Sequence, residues 1–193
     1  MAVFWLAALP LRADVLPALH DVTGVAADDV LNIRDRPDAG AEILGTLAPD
    51  ATGIEVVAVE GDWAMVNAAA AAGFVALRFL ARETGPDWNA LQSPLHCLGT
   101  EPFWDLAIVP ATQTAWLSTP EEMDPAPLRM EQVWPALPWS RTAAIALPDG
   151  FVALSPADCS DGMSDRRYGI AADIFLTRPD HPRLSGCCML NLP

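Results

Sequence analysis

Residues 54–66 read I-E-V-V-A-V-E-G-D-W-A-M-V, which is two β-type runs separated by the turn residues Glu60-Gly61-Asp62. Residues 30–34 and 43–47 form two earlier short runs of the same kind. Five alanines at 68–72 follow, and we expect them to form a hairpin connection into the next run. Strands that recur about every 8–12 residues with turns between them predict a small barrel or sandwich.

The second half of the chain is also β-like and rich in proline. Its candidate strands are residues 106–109, 114–117, 128–134, 143–147, 151–154, 170–177 and 184–190. Pro148-Asp149-Gly150 stands between two of them and is typical of a hairpin turn. Six or seven strands in about 100 residues indicate a closed or nearly closed antiparallel barrel, so the predicted fold class is all-β.

Composition excludes several functions. The chain has 193 residues, of which 52% are hydrophobic and 25 are acidic, and its net charge is −14. All 11 basic residues are arginines, which excludes chemistry that depends on a lysine. Binding a polyanion requires a basic surface, so no nucleic-acid partner is expected. No run of about 18 uncharged apolar residues predicts a transmembrane segment.

Residues 1–11, M-A-V-F-W-L-A-A-L-P-L, are apolar and uncharged. A short apolar stretch that ends near a small residue is typical of a secretory signal. We therefore interpret residues 1–13 as a signal peptide or its remnant, cleaved near Ala13, and predict a periplasmic or secreted protein. The alternative is a buried first element of the mature domain, which the absence of a basic residue before Arg12 favours.

The first half resembles a bacterial SH3 (SH3b) domain. The resemblance rests on L-N-I-R-x-x-P at 31–37, G-T-L at 45–47, D-W-A-M-V at 62–66 and G-F-V-x-x-x-F-L at 73–80. It implies an SH3-like barrel over residues 14–82, with phenylalanine at 74 where the family usually has tryptophan. The resemblance implies a groove for a cell-wall peptide or a protein partner. Its candidate ligand-binding residues are Asn32, Arg34, Asp62, Trp63 and Phe74.

Residues 83–95 contain Gly85-Pro86-Asp87 and Ser93-Pro94 without sustained periodicity. Such composition predicts a linker. Residues 96–193 would then form a second, disulfide-stabilised β-barrel domain. A loop inside one larger barrel is the alternative.

Four cysteines, Cys97, Cys159, Cys187 and Cys188, all lie in the second half. The even number in one small domain predicts two disulfides formed in an oxidising compartment. Reduced structural cysteines are one alternative, and a zinc site with His96 and His181 is a weaker one, because no C-x₂-C pair is present. Neighbouring residues in a strand point to opposite faces, so Cys187 and Cys188 should have different partners. Cys97 and Cys159 would each take one of them, in an order that the sequence leaves open.

The motifs C-x-G-T-E-P-F-W at 97–104, C-S-D-G-M-S-D-R-x-Y at 159–168 and G-C-C at 186–188 resemble an uncharacterised family of bacterial envelope domains. The family implies no activity. The residues themselves suggest a carboxylate beside stacking aromatics and a recognition loop, with the candidate ligand-binding residues Glu101, Trp104, Asp161, Ser164, Arg166 and Tyr168. Each group has a structural alternative: the aromatics would fill the core, and the loop would be held by Asx turns, an Asp161–Arg166 pair and the Cys159 anchor.

No catalytic residue, metal ligand or cofactor is predicted. Ser160 and Ser164 lack a nucleophile elbow, and the aspartates of 158–165 do not have the spacing of a calcium loop. We therefore expect a non-catalytic exported adaptor that binds a cell-wall peptide or a protein partner. The alternatives are an inhibitor of a basic protein such as a lysozyme, favoured by the acidic charge, and an accessory part of a cell-wall hydrolase.

Overall fold

A computed structural model describes residues 15–177 and 183–190. The predicted signal segment, 1–13, and His181 lie outside the described residues. The protein is all-β, as predicted, with antiparallel strands throughout its three sheets. The strands of the first half are β1 (Ala18–Val22), β2 (Leu31–Arg34), β3 (Ile43–Leu47), β4 (Ile54–Val56), β5 (Ala58–Glu60), β6 (Trp63–Ala68), β7 (Ala71–Ala76) and β8 (Leu80–Arg82).

These strands form two sheets around one core. The five-stranded sheet has the order β3-β2-β7-β6-β5 and the three-stranded sheet has the order β4-β1-β8. The run predicted at 54–59 divides at Val57, so that its two parts enter different sheets. The alanine run is the hairpin connection that the sequence predicts, with the turn between β6 and β7 at residues 69–70. The buried core consists of Val22, Leu31, Ile33, Val56, Ala64, Val66 and Val75.

The strands of the second half are β9 (Leu95–Thr100), β10 (Phe103–Val109), β11 (Thr114–Ser118), β12 (Leu128–Arg129), β13 (Gln132–Trp134), β14 (Ala143–Leu147), β15 (Gly150–Cys159), β16 (Tyr168–Leu176) and β17 (Arg183–Met189). They form one nine-stranded sheet in the order β12-β11-β10-β9-β17-β16-β15-β14-β13. Gly150, the first residue of β15, allows a close approach to β16, because a Cβ there would lie 1.9 Å from the Phe175 carbonyl oxygen.

The two edge strands of this sheet, β12 and β13, are consecutive in the chain. The run predicted as a single strand at 128–134 divides, and β12 pairs with β11 while β13 pairs with β14. The residues between them continue both ladders, since Met130 donates its amide to Gln113 and Glu131 donates its amide to Ala146. One short segment therefore brings the two edges together, and the sheet curls into a barrel around the core.

The segment predicted as a linker, residues 83–95, contributes to the hydrophobic core of the second half. Trp88 and Leu91 are each 3% exposed within that core, and Leu95 begins β9. The Trp88 indole donates a hydrogen bond of 3.1 Å to the Leu16 carbonyl, which ties the segment to the start of the first half.

Candidate functional site

An open groove of about 450 Å³ lies on the first half of the protein. We call it the N-terminal groove. Its lining residues come from the β1–β2 loop, from β2, from the β2–β3 loop, from the start of β6, and from the end of β7 with the turn that follows it. They are Gly24, Val25, Ala26, Asp29, Val30, Leu31, Asn32, Arg34, Ala39, Trp63, Ala76, Arg78 and Phe79.

The polar and aromatic groups of this groove are held by local contacts. Arg34 donates a hydrogen bond of 2.7 Å from Nη1 to the Ala41 carbonyl, which fixes its position below the β2–β3 loop. The guanidinium carbon of Arg78 lies 4.5 Å from the centroid of the Phe79 ring, a cation–π geometry. Two guanidinium groups and two aromatic rings are thus presented to one open space, together with the carboxylate of Asp29.

Three of the residues predicted from the SH3b resemblance line the N-terminal groove, namely Asn32, Arg34 and Trp63. Phe74 pairs with Arg34 across the β2–β7 ladder and is half-buried, outside the lining set. Asp62 is exposed in the β5–β6 turn, where its carbonyl accepts the Leu77 amide at 2.8 Å.

Sequence reasoning missed Arg78 and Phe79, which lie on the short 3₁₀ turn Leu77–Phe79 after β7. The sequence did contain a signal for these two residues, namely an arginine beside an aromatic residue directly after the closing strand of the motif.

In the second half, the Trp104 indole packs against two glycines. Gly99 is its partner across the β9–β10 ladder, and a Cβ at Gly99 would lie 2.1 Å from Trp104 Nε1. A Cβ at Gly186 would lie 2.7 Å from Trp104 Cζ2. Glycine within a strand commonly marks such a close approach. Two motifs that are far apart in sequence, C-x-G-T-E-P-F-W and G-C-C, therefore meet at one packed tryptophan.

The neighbours of Trp104 are exposed. Glu101 is solvent-exposed and so needs no buried partner such as Arg166. Phe103 is 54% exposed and, with Trp104 and Met123, lines an open apolar cleft of about 380 Å³.

Asp161 organises the loop between β15 and β16. Its Oδ1 accepts the amides of Met163 and Ser164 at 3.0 and 2.9 Å, and its Oδ2 accepts the hydroxyls of Ser164 and Tyr168 at 2.8 and 3.1 Å. Burial raises the pKa of Asp161, but these hydrogen bonds outweigh burial and lower the pKa to about 2. Asp161 is therefore ionised at neutral pH, and its acceptor capacity is used within the protein.

This loop, residues 160–167, also binds the first half; we call it the junction loop. The Asn67 side chain accepts a hydrogen bond of 3.0 Å from the Arg167 amide and donates one of 2.8 Å to the Arg167 carbonyl, which is the pattern of a strand partner. Asp165 donates its amide to Ala70 and accepts the amide of Ala72, which forms a parallel β-bridge with the β6–β7 hairpin. The two halves are thus joined by backbone hydrogen bonds.

Arg166 lies in a cleft of about 190 Å³ at the same junction. The cleft also contains Glu55, whose Oε1 accepts the Leu190 amide at 3.3 Å. Burial raises the pKa of Glu55 to about 7, although the Leu190 amide and the charge of Arg166 act in the opposite direction. Arg166 therefore faces Glu55 from the other half of the protein.

The cysteines form two disulfides, as predicted. Cys97 pairs with Cys188 across β9 and β17, and Cys159 pairs with Cys187. The structure thereby settles the order that strand alternation left open. Cys97 and Cys188 belong to the buried core, whereas Cys159–Cys187 anchors β15 where the junction loop begins.

Residues 15–177 and 183–190 contain no group of three or more His, Cys, Asp or Glu side chains arranged to hold a metal ion. Among the same residues, no helix combines the length and the apolar character needed to cross a membrane. In comparisons with known proteins, no family model matches the chain, and no curated protein or solved structure matches it.

Proposed function

We propose that this protein is an exported, non-catalytic binding protein of the bacterial envelope. Its first half binds a peptide of the cell wall or of a protein partner in the N-terminal groove. The single observation that carries the proposal is the lining of this groove, where Asn32, Arg34 and Trp63 from the SH3b-like motif meet Arg78 and Phe79.

The chemistry of the groove suits a peptide that carries carboxylates. Residues 14–82 contain four arginines, and two of them, Arg34 and Arg78, line this one groove. A guanidinium can bind a carboxylate through two parallel hydrogen bonds, and aromatic rings add contact area at small entropic cost. In a protein of net charge −14, such a local basic surface is the part to which an acidic segment can bind.

Export is supported by the two disulfides. Disulfides form and persist in oxidising compartments and are rare in the cytosol. The junction loop fixes the second half against the first, so we propose that the disulfide-bonded barrel serves as a rigid support for the groove.

Binding of purified peptidoglycan fragments to the full chain tests the proposal. We expect Arg78→Gln and Trp63→Ala each to weaken binding by about 10-fold or more, as for loss of a charged or aromatic contact. Arg36→Gln is the matched control, because Arg36 is exposed, pairs with the neighbouring Asp35 and does not line the groove. Equal binding by the wild type and both groove variants would refute the proposal.

The acidic charge supports a second candidate, an inhibitor of a basic envelope-targeting protein such as a lysozyme. A parallel capture on immobilised lysozyme at two salt concentrations separates the two. The inhibitor would be favoured by capture on lysozyme but not on peptidoglycan. This capture should weaken with salt and be unchanged by Arg78→Gln. Binding to neither peptidoglycan nor lysozyme would refute both candidate functions.

A further inference from the structure

The cleft between the two halves has the chemical lining of a small binding site. Its lining is about equally polar and apolar, and its polar side chains are one carboxylate, one amide and one guanidinium. The lining residues are Leu47, Gly53, Ile54, Glu55, Val66, Asn67, Arg166 and Met189. The cleft is formed by β3, β4 and β6 of the first half, the junction loop, and the end of β17.

The two charged groups come from opposite halves, and the guanidinium of Arg166 also interacts with the hydroxyl of Tyr168. No ion pair of 4.0 Å or less joins Glu55 to Arg166 among the described residues. The Nε of Arg166 is buried and makes no hydrogen bond within the described part of the chain. Glu55 uses only Oε1, toward the Leu190 amide. A carboxylate and a guanidinium thus face one cavity without being paired directly.

The charges around Glu55 explain why a positive group would be favoured there. Asp21 and Glu83 accept the amide of Gly53, two residues before Glu55, at 3.3 and 3.1 Å. In β1, Leu19 stands opposite Glu55, and β17 contributes Met189 and Leu190, so neither supplies a charge. From β6 the cleft receives the neutral Asn67, and only Arg166 brings a positive charge. Glu55 is therefore short of cationic partners.

From this arrangement we propose that the junction cleft binds a small zwitterion, an α-amino acid with an apolar side chain. Its ammonium group would bind Glu55, its carboxylate would bind the guanidinium of Arg166, and its side chain would lie against Ile54 and Met189. A volume of about 190 Å³ corresponds to about six water molecules, which matches the size of a small amino acid. A ligand with a single charge would pair with only one of the two charged groups, Glu55 or Arg166, and would leave the other unpaired.

Occupancy should depend on pH, because burial raises the pKa of Glu55 to about 7 and a bound ammonium group would stabilise its ionised form. The ammonium and carboxylate of the ligand both stay charged between pH 6 and 8. Ionisation of Glu55 across this interval should therefore increase affinity about 10-fold, and binding near pH 7 should release a proton.

The test is an NMR titration of the ¹⁵N-labelled full chain with glycine, alanine and valine at pH 6 and pH 8. Sodium acetate and methylammonium chloride serve as probes with a single charge. We expect the amino acids, and not the two probes, to shift the side-chain amide of Asn67 and the amide of Met189. Equal shifts with acetate or methylammonium, or no shift with any amino acid, would overturn the proposal.

Variants provide a second measurement. Glu55→Gln and Arg166→Gln should each weaken amino-acid binding by about 10- to 100-fold, the effect of losing a charged hydrogen bond. Glu60→Gln and Arg167→Gln are matched controls, because both side chains lie outside the cleft and should change affinity less than about 2-fold. Should Arg166→Gln fail to fold, proton release measured calorimetrically in two buffers on the wild type still decides the question. Binding without pH dependence or proton release would overturn the role of Glu55. This site is separate from the N-terminal groove, so either proposal can fail while the other stands.

Discussion

The motif residues of the two halves have different surroundings. In the first half, Asn32, Arg34 and Trp63 line an open groove. In the second half, the Trp104 indole packs against glycines, and Asp161 uses both oxygens within its own loop. Both motifs are distinctive in sequence, but Trp104 and Asp161 of the second are engaged within the protein, whereas Asn32, Arg34 and Trp63 of the first line an open groove. A distinctive motif can therefore specify folding as readily as binding.

The disulfides provide the largest test of this contrast, because both belong to the second half. In the chain-entropy description, a cross-link stabilises more when it closes a longer loop. Replacing Cys97 and Cys188, separated by 91 residues, with alanine should lower the free energy of unfolding by about 4–5 kcal/mol. Replacing Cys159 and Cys187, separated by 28 residues, should cost about 3–4 kcal/mol.

Denaturant unfolding of the two double variants measures both values. The reverse order would show that Cys159–Cys187 stabilises chiefly through the junction loop. The stabilities of the two halves would then be coupled through this loop.

Gly186→Ala tests the packing role of the second-half motif. A Cβ at this position would lie 2.0 Å from the Leu98 carbonyl oxygen and 2.7 Å from Trp104 Cζ2, so strand and indole must both shift. We expect a loss of about 3 kcal/mol in thermal or denaturant unfolding. Gly85→Ala is the control, since nothing lies within 4 Å of its Cβ position. A change as mild as the control's would show that Trp104 is free to move.

The pH dependence of stability tests the junction where the two halves meet. Glu55 has a pKa of about 7 in the folded protein against 4.5 as the ordinary value, so the folded state binds more protons between these limits. Stability should therefore be highest below about pH 4.5 as far as Glu55 is concerned, and should fall as pH rises through 7. We expect a loss of about 2 kcal/mol between pH 5 and 8, allowing for solvent screening.

Unfolding of wild type and Glu55→Gln across this pH range isolates the effect. The variant should show the flatter profile. Parallel profiles would mean that Glu55 is solvated and that the junction is more open than the contacts of Asn67 and Asp165 indicate.

The smallest expected effect is on the first half. Arg78 is exposed and lies over the Phe79 ring, so Arg78→Gln should change the free energy of unfolding by less than about 1 kcal/mol. A melting curve beside the peptide-binding measurement gives both quantities. A large loss of stability would place Arg78 among the structural residues and remove the contrast between the halves.

Much of the fold follows from local pattern. The alternation of Leu31 and Ile33 with polar neighbours matches the buried and half-buried pattern of β2, and the turn at 148–150 joins the predicted strands. Strands β1 and β8 were not predicted, because segments as short as Ala18–Val22 and Leu80–Arg82 show no clear alternation of apolar and polar residues.

The site was predictable only in part. Asn32, Arg34 and Trp63 followed from the motif, while Arg78 and Phe79 enter the groove because the turn after β7 bends toward it. The junction loop was predicted as a self-contained or recognition loop. Its contacts with Asn67, 100 residues away, depend on the docking of two halves that no local pattern records.

The sequence by itself determined the all-β class and the rule that Cys187 and Cys188 have different partners. Both follow from the period of two along a strand, which is a local property. Only the tertiary structure decided which cysteine each one pairs with, how residues 128–134 join both sheet edges, and that Glu55 meets Arg166. Those outcomes depend on register and burial between distant segments, whose energies arise only when the chain is packed.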